Sequence, residues 1–124
     1  MIASVSGRVA ALGLDHLGVE TGGVGLLVPC PPRVLAGLRP GQDVRLSTSL
    51  VVREDSLTLY GFGSDDERAL FEVLLGVSGI GPRLAMAMLA VLTPDEVRAA
   101  VSAEDVATLT RVPGIGRKGA QRLI

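Results

Sequence analysis

The sequence predicts an α+β chain in two parts, a small β-barrel over residues 1–63 and an all-α domain over residues 64–124. Three observations carry this expectation. The first 62 residues break into short runs rich in Val, Leu and Thr, cut by pairs of glycine and proline. After Gly63 the grammar changes abruptly to helix-start signals and apolar residues spaced three and four apart. A five-residue phrase then occurs twice, 35 positions apart: Val77-Ser78-Gly79-Ile80-Gly81 and Val112-Pro113-Gly114-Ile115-Gly116.

The strand runs fall at 2–11, 15–20, 24–30, 43–53 and 56–62. Turn signals separate them at Gly22-Gly23, Pro31-Pro32 and Pro40-Gly41, and a helical turn over 33–38 joins the third run to the fourth. The fourth alternates, which puts Val44, Leu46, Thr48, Leu50 and Val52 on one face. Tyr60 and Phe62 share a face of the fifth and are expected in the core. Five short strands with one helical insert suggest a five-stranded barrel of the OB type.

The helices announce themselves in turn. Ser64-Asp65-Asp66-Glu67 reads as a capping box, with Ser64 as N-cap, and Leu70, Phe71, Leu74 and Leu75 form the apolar stripe that follows. Pro82 opens a second helix directly after Gly81, running through Leu84, Met88 and Leu89. Thr93-Pro94-Asp95-Glu96 starts a connecting helix, and Ser102-Ala103-Glu104-Asp105 is a weaker third capping box. A last helix follows Gly116. The order is helix, Gly-Ile-Gly hairpin, helix, linking helix, helix, Gly-Ile-Gly hairpin, helix: two helix-hairpin-helix motifs.

With 124 residues and 48% hydrophobic content the chain can bury a core. Its net charge of −1 advertises no polyanion-binding envelope. The charge is unevenly placed, however. Arg111, Arg117, Lys118 and Arg122 surround the second Gly-x-Gly with no acid between them, while the acids at 65–67, 95–96 and 104–105 sit at helix starts. Cys30 and His16 are each the sole residue of their kind, so neither a disulfide framework nor a metal cluster is expected. Residues 1–8 lack the charged lead and apolar run of a secretory signal, and no apolar stretch reaches the ~18 residues of a membrane span. A soluble cytoplasmic protein is expected, with no membrane association. No phosphate-binding Gly-x-x-x-x-Gly-Lys-Ser/Thr motif, catalytic constellation or cofactor site is present.

A Gly-x-Gly turn that opens a helix presents backbone N–H groups with no partner inside the helix, and these attract anions. One copy is equally well read as a tight helix–helix turn. Two copies in register point to a grip on two phosphates, Gly79, Ile80 and Gly81 with Arg83 in the first, and Gly114, Ile115 and Gly116 with Arg117 and Lys118 in the second. A cation at a helix N-terminus opposes the helix dipole, so Arg83 and Lys118 work against local stability unless an anion sits there. Such contacts read phosphates, not base edges, and imply binding that ignores sequence and weakens with salt. Single strands usually require stacking aromatics, and the chain has only Tyr60, Phe62 and Phe71. Glu54-Asp55 fall at a strand tip, where a polar turn is the ordinary explanation.

Val51-Val52-Arg53-Glu54-Asp55-Ser56-Leu57-Thr58-Leu59-Tyr60-Gly61-Phe62, followed by two Gly-Ile-Gly hairpins, resembles the RuvA family of bacterial Holliday junction proteins. Met1-Ile2 and Glu20-Thr21-Gly22-Gly23-Val24-Gly25 agree, so the resemblance covers the whole chain. It implies a homotetramer on an open four-way junction, with two tetramers able to sandwich one junction. Glu54 and Asp55 would be an acidic pin at the junction's centre, repelling phosphates and disfavouring unbranched duplex. A RuvB-type hexameric ATPase motor and a RuvC-type junction resolvase are the implied protein partners. A third, motor-binding domain would lie beyond Ile124 and is not present in this sequence. Gly119 departs from the small polar residue many relatives carry there, and glycine within a helix costs about 1 kcal/mol relative to alanine. Two other classes stay in view: a ligase or nuclease fragment whose hairpins steady DNA for an active site elsewhere, and an oligomerising module whose glycine turns bind only protein.

Overall fold

The computed structural model describes residues 1–124, which divide into two compact units, Met1–Arg68 and Ala69–Ile124. In the first, β1 (Ser4–Leu12), β2 (His16–Thr21), β3 (Val24–Pro29), β4 (Asp43–Arg53) and β5 (Ser56–Phe62) form one antiparallel sheet in the order β3-β2-β1-β4-β5. The sheet curls until β3 and β5 meet, giving a nearly closed, OB-type barrel. Gly61 makes the seam tight: a methyl there would lie 2.7 Å from Val28 Cγ1 and 3.1 Å from Cys30 Sγ. β1 serves both halves of the curl, and its pairing with β2 shifts register between Val9 and Ala11, a bulge that bends the strand.

The barrel interior is aliphatic: Val9, Leu17, Val19, Val28, Leu35 and Leu46 are buried together with Cys30. Leu35 comes from α1 (Pro32–Leu35), the helical turn expected between the third and fourth strands. Cys30 donates to the Val28 carbonyl at 3.4 Å, and burial pushes its thiol up to about 12.

β4 departs from the simple alternation. Its register with β5 is unbroken, yet residues 46–49 are all buried and, further on, Val51 is 6% exposed while Val52 is 60% exposed. The second face is covered near its middle, where Ser47 donates to Asp65 at 2.6 Å, while on the first face Thr48 donates its hydroxyl to the Ile2 carbonyl at 2.7 Å. The first face runs out of cover toward the tip, so Val52 and its cross-strand partner Leu57 (70% exposed) face solvent. Of the two aromatic residues on β5, Phe62 is fully buried and Tyr60 only half-buried.

α2 (Asp65–Leu75) begins inside the first unit and runs into the second. Its first turn is bound to the barrel by the Ser47–Asp65 hydrogen bond, which holds the Asp65 carboxyl below the usual aspartate range, and by a 3.0 Å ion pair between Arg33 and the buried Glu67. Only half of the expected capping box forms. Ser64 Oγ accepts from Glu67 N at 3.1 Å, but the Glu67 carboxylate faces Arg33 and Gly63 N instead of Ser64 N.

In the second unit α3 (Pro82–Val91), α4 (Pro94–Ser102), α5 (Val106–Leu109) and α6 (Arg117–Leu123) follow α2. Thr93 and Glu96 complete the capping box of α4. The third expected box is absent, because Ser102 is the last residue of α4 and the cap of α5 is Asp105. Asp105 accepts from Thr108 N at 3.1 Å and from Thr108 Oγ1 at 2.6 Å, bonds that lower its carboxyl pKa. Between the helices Asp105 N reaches the Ala100 carbonyl and Glu104 N the Val101 carbonyl, a Schellman turn. Glu104 takes its left-handed position with φ 52°, where glycine is usual. No helix is long and apolar enough to cross a membrane.

Candidate nucleic-acid interface

The two Gly-Ile-Gly phrases fold alike. In the first, Ile80 N donates to the Val77 carbonyl at 3.1 Å, closing a turn that forces Gly79 to φ 84°. In the second, Ile115 N donates to the Val112 carbonyl at 3.0 Å and Gly114 has φ 94°. Left-handed backbone is costly for any residue with a Cβ, so glycine is explained at both places. Ile80 (6% exposed) and Ile115 (4%) are buried, anchoring the hairpins to the helices behind them.

Gly81 and Gly116 then serve as N-caps of α3 and α6, with φ −91° and −92°. Any residue adopts that backbone, and a methyl at either glycine would meet no protein atom within 4 Å. Neither cap has a side-chain acceptor, although the chain places one at Ser64, Thr93 and Asp105. The N–H groups of the first turns are therefore left open. Pro82 removes one donor from the first helix, and Arg117 keeps its counterpart in the second.

Both hairpins line one cavity of about 400 Å³, which gathers Gly79, Ile80, Gly114, Ile115, Gly116, Arg117 and Lys118 from the sequence-predicted set. Gly81 and Arg83 are exposed but do not line it. The wall also includes Ser78, Leu84, Gly119 and Arg122, which the motif alone did not single out as contacts. Arg122 had been visible only as part of a basic cluster, since its reach across to the first hairpin depends on packing between the motifs. Arg83, Arg117, Lys118 and Arg122 are exposed and have no acidic partner.

The other predicted feature is separate. Glu54 and Asp55 form the two-residue turn between β4 and β5, and both are exposed and free of any cation. Arg53, next to them, turns its guanidinium to the Val52 carbonyl at 3.4 Å. The tip thus keeps its negative charge, flanked by the exposed apolar pair Val52 and Leu57.

Residues 1–61 match the family profile described as RuvA N terminal domain, and residues 71–124 that of a SAM-like Helix-hairpin-helix tandem. A Salinispora arenicola (strain CNS-205) protein named Holliday junction branch migration complex subunit RuvA is 64% identical over all of this chain. The chain belongs to the RuvA family. Proteins of the same name from Streptomyces avermitilis (63% identical) and Thermobifida fusca (58%) also align with its whole length. The chain covers 62%, 61% and 61% of these three RuvA relatives, respectively.

Proposed function

We propose that this chain binds four-way junction DNA by its phosphates, independently of sequence, as the non-catalytic DNA-holding part of a branch-migration complex in recombination and repair. The observation that carries the proposal is the convergence of two uncapped Gly-Ile-Gly hairpins and three unpaired cations on one cavity. Open backbone N–H groups beside unbalanced positive charge suit phosphate oxygens and nothing apolar. In this reading Gly79, Ile80, Gly81 and Arg83 hold one phosphate run, and Gly114, Ile115, Gly116, Arg117 and Lys118 another.

Glu54 and Asp55 supply the preference for branched DNA. Four copies around a junction would bring eight carboxylates to the crossover, where their repulsion of phosphates would help keep the strands apart as they pass. On unbranched duplex the same carboxylates would meet phosphates and repel them. The protein then holds the junction open and square-planar while a RuvB-type ATPase supplies the work, and a RuvC-type nuclease acts on the same substrate. The names of the relatives support the junction and the complex. The four-copy assembly, alone or as two tetramers on one junction, rests on the family resemblance.

A competition gel shift at near-physiological salt, four-way junction against linear duplex of the same sequence, tests the proposal. Strong preference for the junction is expected. Equal affinity would reduce the protein to a generic phosphate binder and remove the branch-migration reading.

A further inference from the structure

Each left-handed hairpin glycine is faced by a side chain from the other motif. A methyl at Gly114 would lie 3.0 Å from Leu84 Cδ1, on α3, and a methyl at Gly79 would lie 2.6 Å from Arg122 Nη1, on α6. The motifs interlock, but with residues that do not correspond. When the two phrases are aligned on their glycines, Leu84 corresponds to Gly119 and Arg122 corresponds to Ala87. α3 reaches across from its first turn. α6 has no side chain at that place and reaches across one turn later, with a charged group.

The charge is unbalanced between the hairpins in the opposite sense. The second has Arg117 and Lys118 on the cavity wall, whereas the first hairpin's own cation, Arg83, is off it. Arg122 lines the cavity, is exposed, and has no acidic partner that would explain its position. We infer that Arg122 is a shared cation: carried by the second motif, it provides the first hairpin with a phosphate-facing charge on the cavity wall, which Arg83 does not line. The two motifs then act as one coupled clamp. The inference rests on the phosphate-binding reading above. Gly79 serves twice in it, accepting the left-handed turn and leaving room for a guanidinium against the backbone. A planar guanidinium there keeps donors for a phosphate oxygen held at the hairpin's N–H groups, which a lysine ammonium cannot match bidentately.

The test is a set of double-mutant cycles in the whole chain, read as duplex and junction affinity across a salt series. Gly81→Ala impairs the first hairpin and Gly116→Ala the second, each without meeting a protein atom. Arg122→Ala should leave the melting temperature unchanged, weaken DNA binding roughly tenfold or more, and lower the salt slope by about one. Its effect should largely vanish in the Gly81→Ala background and persist in full in the Gly116→Ala background. Arg122→Lys should restore the salt slope but only part of the affinity. Equal effects in both backgrounds, or loss confined to the second hairpin, would overturn the sharing. A DNA-free readout separates this from failure of the function itself: the Gly79 amide NMR resonance should move in Arg122→Ala. An unmoved resonance removes the juxtaposition, whereas a wild-type protein with no DNA affinity removes the phosphate reading.

Discussion

Gly81 and Gly116 offer a direct separation of folding from binding. Alanine at either position takes up a backbone that it adopts freely and puts its methyl where no protein atom lies within 4 Å. Replacing glycine there removes unfolded-state freedom, a stabilisation of about 0.4–1 kcal/mol. Alanine is a poorer N-cap than glycine, a loss of roughly the same size. The two nearly cancel, and a residual of about 0.5 kcal/mol moves the melting temperature by only about 2–4 °C in a domain of this size. Binding should respond very differently. A methyl on the approach to the first-turn N–H groups removes a charge-assisted hydrogen bond worth about 1.5–3 kcal/mol, or roughly tenfold to a hundredfold in affinity. Each variant should therefore melt like the wild type and bind both duplex and junction more weakly, by fluorescence anisotropy on labelled DNA. Wild-type affinity in a variant with an unchanged melting temperature would falsify phosphate contact at that hairpin. A large drop in melting temperature would instead place the glycine's importance in the fold.

Three further outcomes follow from other parts of the molecule. Glu54→Gln with Asp55→Asn should leave melting and junction binding intact and raise affinity for linear duplex severalfold by gel shift; a variant that cannot fold would show the tip to be structural. Glu104→Gly should relieve the left-handed strain at the end of α4 and, after the entropy of glycine is offset, raise stability by up to about 1 kcal/mol in urea unfolding without changing DNA affinity. Asp65 and Asp105 have folded-state pKa values below the ordinary aspartate value, so their stabilisation is complete above about pH 4 and disappears as pH falls through the lowered folded values. Asp105→Asn keeps an acceptor for Thr108 N but does not titrate. The melting temperatures of wild type and this variant should converge on acidification, and a constant gap would contradict the assignment.

The barrel was legible because its signals are local. Short β-branched runs and Gly or Pro turns mark each strand, and the helix starts at Thr93 and Pro82 need only neighbours in sequence. The hairpins were legible for the same reason, since a left-handed turn at Gly79 or Gly114 is set by the residues on either side. What the sequence did not disclose depends on distant partners. Glu67 looked like half of a reciprocal cap, but Arg33, 34 positions earlier, takes its carboxylate. The alternation of β4 held in register and failed in burial, because Asp65, from the start of α2, covers Ser47 on a face that periodicity assigns to solvent. Arg122 could be counted as a nearby charge, yet nothing in its local sequence places it on Gly79. Asp105 was hidden by a weak capping pattern one turn too early, where a Schellman turn occupied the intervening residues.

Cys30, sealed in the barrel with its thiol pushed up to about 12, has a practical consequence at the other end of β5. A thiol that is both buried and protonated at neutral pH is nearly inert to maleimide dyes. The chain is therefore already a single-site labelling scaffold, without the risk of removing a core residue. A cysteine introduced at the exposed Ser56, beside the acidic turn, would be the one group to react. A fluorophore there would report on the passage of DNA past the tip in real time, strand by strand, in a protein whose interior remains native.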